Sequence, residues 1–95
     1  MSGACPELGF RLVVTFAQST EQFSIEACRS VFQYDVIDRN DLIAVGGGAR
    51  EWRYTVTKEG GQATDADRAL IRSWLAARFE DAVITVGPLV DLSGG

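Results

Sequence analysis

The stretch from Thr64 to Val90, TDADRALIRSWLAARFEDAVITVGPLV, constrains this chain most, because capping, periodicity and strand composition agree there. Thr64 followed three residues on by Asp67 is the threonine-acid form of a capping box, and Asp65 adds negative charge at the positive end of a helix dipole. At 100° per residue, Ala66, Leu70, Trp74 and Ala77 share one side with Ile71 and Leu75 beside them, while Arg68, Arg72 and Ser73 fall opposite. This predicts a helix with one buried stripe, and the Arg68 and Arg72 side is a candidate interaction face. Glu80-Asp81 makes a polar break. Ala82 to Val86 is then short, β-branched and apolar, predicting a strand covered on both faces, which Gly87-Pro88 ends or bulges.

Upstream, Met1 to Gly9 reads as an irregular lead. Phe10, Leu12, Val14 and Phe16 alternate with Arg11, Val13 and Thr15, predicting a half-buried strand. Ser19-Thr20 before Glu21-Gln22 predicts a helix to about Ser30, with Phe23, Ala27 and Val31 as its apolar face and Ile25, Cys28 and Phe32 alongside, although Phe23, Ile25 and Ala27 also fit a strand. Val31 to Ile37 has strand composition, Asp38 to Asp41 is a turn, and Leu42 to Val45 is a short strand. Gly46-Gly47-Gly48 predicts a flexible hairpin loop, after which Trp52, Tyr54 and Val56 alternate with Arg53, Thr55 and Thr57.

These elements predict a single α+β domain with 91–95 as a flexible tail: an antiparallel sheet with one or two helices on one face, ferredoxin-like or a near relative. A sheet with extra hairpins and only the Thr64 helix is the competing arrangement. Leu, Ile, Val and Phe exceed a quarter of the residues, above the roughly 20% below which disorder is favoured.

Charge and composition narrow function. A net charge of −4 argues against nucleic acid or an anionic membrane as partner and leaves room for a basic one. No apolar run approaches the roughly 18 residues of a membrane span, and the start lacks the pattern of a signal peptide, so a soluble cytoplasmic protein is expected. Cys5 and Cys28 are not in a CxxC spacing and there is no His, which excludes the usual zinc sites and His-based triads. The triple glycine lacks the context of a phosphate loop, and Asp35, Asp38 and Asp41 lack the glycine and terminal Glu of a calcium loop. No catalytic residue, metal site or cofactor site is expected. Cys28 reads as a small buried hydrophobe, Trp52 and Tyr54 as core, and the adjacent Glu80 and Asp81 as divergent carboxylates.

VFQYDVIDRNDLIAV, the Thr64 helix and VITVGPLVDLSGG together resemble the small C-terminal domain of phenylacetate-CoA-ligase-like adenylate-forming enzymes, which implies a lid over an acyl-adenylate. FRLVVTFAQ and the end of the chain resemble MoaD-type sulfur carriers, which implies that a terminal Gly94-Gly95 would carry a thiocarboxylate at Gly95. The residues themselves favour a non-catalytic module that binds a protein partner or its own copy through a sheet edge or the exposed helix side.

Overall fold

The computed structural model describes residues 7–92. Strand β1 (Leu8–Thr15) is followed by α1 (Gln22–Phe32), β2 (Leu42–Gly47), β3 (Glu51–Lys58), α2 (Asp65–Arg78), β4 (Val83–Val86) and β5 (Val90–Asp91). The sheet is antiparallel in the order β2-β3-β1-β4, which with the chain order βαββαβ is the ferredoxin-like arrangement. Beyond Gly87-Pro88-Leu89 the chain rejoins the same edge of β1 as β5, pairing Leu8 with Asp91 and Gly9 with Val90.

Both helices cover one face. Phe10, Leu12 and Val14 of β1, Trp52 and Val56 of β3, Leu42 of β2 and Val86 of β4 point into a single core with Ile25 and Phe32 of α1 and Ile71 and Leu75 of α2. Period-two alternation in β1 and β3 and period-four spacing in the helices place these residues on facing surfaces. Phe16 and Phe32 each contact the Trp52 ring, at centroid distances of 5.0 and 5.7 Å.

Helix α2 has the capping box its sequence predicts: Asp67 N donates to Thr64 Oγ1 at 3.2 Å and Thr64 N to Asp67 Oδ2 at 2.9 Å. Its buried stripe is nonetheless Asp67, Ile71 and Leu75, with Leu70 38% exposed and Ala66 and Ala77 also outside. The capping carboxylate sets this rotation, because it also faces Lys58 Nζ at 3.4 Å on the inner side of β3.

Three further segments depart from their sequence reading. Residues 31–37 are helical, not a strand: α1 runs into a π-helical turn (Gln33–Ile37) and a 3-10 turn (Asp38–Asn40), closed by Asp41 at φ 56°. Strand-like composition yields here to helical spacing, since Ile25, Phe32 and Val36 continue one buried stripe. Phe23, Ala27 and Val31, expected on the packed face, lie on the opposite one. The glycine tract is not a loose loop, because β2 extends through Gly47, pairing Gly46 with Tyr54 and Gly47 with Arg53. Gly46 and Gly48 adopt φ of 142° and 133°, and a Cβ at either would collide with the carbonyl oxygen of Arg53 or Glu51. Finally, β4 is an edge strand bonded only to β1, with Val83 and Thr85 exposed, not an interior strand.

Candidate binding surfaces

The bare face of the sheet follows from the same alternation that builds the core. Arg11, Val13 and Thr15 of β1, Arg53, Thr55 and Thr57 of β3, Val83 and Thr85 of β4, and Ile43 and Val45 of β2 all point away from the helices. Arg53 Nε bonds Glu51 Oε2 at 2.6 Å and Thr15 Oγ1 donates to Glu51 Oε1 at 2.9 Å. These hydrogen bonds, Thr15 first, hold the Glu51 carboxyl below the usual carboxylate range. The β3 aromatics Trp52 and Tyr54 face the helices, so the bare face presents no ring on which a base could stack. Between Arg11 and the Gly87-Pro88-Val90 turn lies a shallow apolar depression.

Most cations are committed to holding the fold. Arg68 Nε donates to the Gly87 carbonyl at 2.7 Å, and the same guanidinium bonds Val86 O and Asp65, fastening α2 to the end of β4. Arg50 reaches the carbonyls of Ala17 and Gln18. Arg78 lies 3.7 Å from the Trp74 ring centroid. Arg29 donates to the Gly48 carbonyl and sits 5.6 Å from the Trp52 ring centroid, so its guanidinium turns inward and pins the hairpin to α1. Arg72 is exposed one turn beyond Arg68. With Arg11 and Arg39, it forms no hydrogen bond or ion pair among the described residues. Gly94 and Gly95 lie outside the described residues.

No arrangement of catalytic type emerges among the described residues. Glu80 and Asp81 line a groove with Ser19, Thr20, Glu21 and Ser24 where the start of α1 meets the end of α2, without a cysteine or basic nucleophile in its lining. Cys28 is a half-buried free thiol whose pKa burial pushes up, with Arg78 opposing weakly. Among the described residues no three His, Cys, Asp or Glu side chains converge as a metal site. No helix among the described residues is long and apolar enough to cross a membrane.

The outer side of α1 is the surface that sequence reasoning missed. Phe23 is 79% exposed, Val31 43% and Tyr34 71%, and with exposed Ala27 they form a stripe at i, i+4, i+8 and i+11. Part of the signal lay within α1 itself: Phe23, Ala27 and Val31 on one side and Ile25 and Phe32 on the other are two apolar stripes, and a single sheet can cover only one of them.

A family model described as YggL 50S ribosome-binding protein matches residues 3–93, nearly the whole chain. The chain belongs to that YggL family. No solved structure matches it. The match overturns both resemblances drawn from the sequence: strand pairs, an Ala- and Arg-rich helix and a glycine-rich end are common to many small α+β domains and distinguish neither a ligase lid nor a sulfur carrier. A family named for binding is one of non-catalytic modules. It also overturns the exclusion of nucleic acid, because a 50S particle is built of RNA as well as protein. Net charge averages over the surface and says little about a local contact.

Proposed function

We propose that this chain binds the large ribosomal subunit, acting in the cytoplasm as an accessory protein. The observation that carries this reading is the YggL 50S ribosome-binding match over residues 3–93. Two properties of the fold support it. The ferredoxin-like frame commits four of the eight arginines, Arg29, Arg50, Arg68 and Arg78, to carbonyls and rings that tie its elements together. Arg11, Arg39 and Arg72 are left to meet phosphate, and the α1 stripe is left to meet an apolar surface. Sucrose-gradient sedimentation of the purified chain with purified 50S and 30S particles tests the reading. Comigration with 50S alone is the expected result, and a chain that stays at the top of every gradient would refute it.

A further inference from the structure

Resting on that reading, we propose that the outward stripe of α1 and the π-helical turn that continues it, Phe23, Ala27, Val31 and Tyr34, is the docking surface for a cationic, apolar-faced segment of a large-subunit protein. Four apolar residues on the solvent side of a helix, two of them nearly fully exposed aromatics, are costly unless something covers them. The opposite side of the helix is already buried through Ile25, Phe32 and Val36, and Arg29 and Gln22 bond to Gly48 and Ala49 of the hairpin. Rotation of the stripe into this core is therefore blocked. From Phe23 to Tyr34 the stripe spans roughly 16 Å at helical rise, a length that suits an amphipathic segment lying along it.

Charge selects the occupant. Residues 21–39 carry Glu21, Glu26, Asp35 and Asp38 against two cations, Arg29, turned inward to the Gly48 carbonyl, and Arg39, exposed next to Asp38. Gln22 and Gln33 donate to Glu26 and Asp38, which orients those carboxylates without neutralising them. A phosphate backbone laid along the stripe would meet Glu26, Asp35 and Asp38, with Arg39 at one end as the exposed cation to offset them, too little positive charge to hold a strand while bases stack. A second copy meeting the same stripe by twofold symmetry would set the Glu26, Asp35 and Asp38 carboxylates of one chain against those of the other. A lysine- or arginine-bearing segment with an apolar side satisfies both the rim and the stripe.

The test replaces Phe23→p-benzoylphenylalanine, irradiates the chain bound to 50S, and divides the product between ribonuclease and protease. An adduct that survives ribonuclease, is lost to protease and maps to a Lys- or Arg-rich peptide is the expected result. An adduct to RNA, an adduct to a second copy, or full binding without any adduct would overturn the proposal while leaving 50S binding intact; absence of binding by the unmodified chain would remove the underlying reading as well. In parallel, Phe23→Glu is expected to weaken 50S binding at least tenfold with unchanged circular dichroism and thermal midpoint, and Phe23→Leu to retain most of it. Equal affinity for all three chains would also overturn the assignment.

Discussion

Asp67 serves two partners at once. Its carboxylate caps the start of α2 through Thr64 and faces Lys58 across the core edge, with a side chain only 8% exposed. Thr64→Ala removes one capping bond and should cost about 1 kcal/mol. Asp67→Ala removes the reciprocal bond, from Thr64 N to the carboxylate, and strands Lys58, so a loss of about 2–3 kcal/mol is expected. Urea titration of the two variants checks the order, and equal losses would show that the Lys58 contact is idle. Cys28 gives a second readout at this scale. Burial raises its thiol pKa, so the neutral thiol is favoured in the folded chain. Any stability it confers holds below the ordinary thiol range and fades as pH rises through the raised value. Alkylation at Cys28, followed by peptide mass so that Cys5 is counted separately, should be slow at neutral pH in the folded chain and should accelerate only above the pH at which the same thiol reacts in the unfolded chain.

At the scale of elements, what could be read from residues alone depended on how many constraints coincided. The alternation in β1 and β3 and the capping box of α2 each involve several residues pointing to one geometry, and the structure has them where the sequence places them. The rotation of α2 was not legible, because it depends on Lys58, which only strand pairing brings near. Leu70 and Leu75 separate the two rotations. Leu75→Ala should cost about 2–5 kcal/mol, Leu70→Ala below about 1, and thermal denaturation distinguishes them. Nor was the helical continuation through residues 33–40 legible, since a π-helical turn realigns Val36 and Ile37 inward against β-prone composition. The glycine tract makes its own prediction. Gly46→Ala forces a Cβ into the Arg53 carbonyl at positive φ, so it should destabilise by more than about 1 kcal/mol, where a loose loop would tolerate it.

For the whole molecule, the fold was within reach of sequence and the partner was not. The α+β class and the antiparallel sheet follow from local patterns, although the βαββαβ order emerges only once residues 31–37 turn out helical. Binding, in contrast, rests on which charges remain free after folding, and that count needs the tertiary structure. The chain is acidic overall, with α1 flanked by carboxylates and three arginines unengaged elsewhere among the described residues. Equilibrium titration of the labelled chain against purified 50S and 30S particles addresses the central claim most directly. Saturable binding to 50S at one chain per particle, absent with 30S, is the expected result; no binding to 50S, or equal binding to both particles, would contradict it.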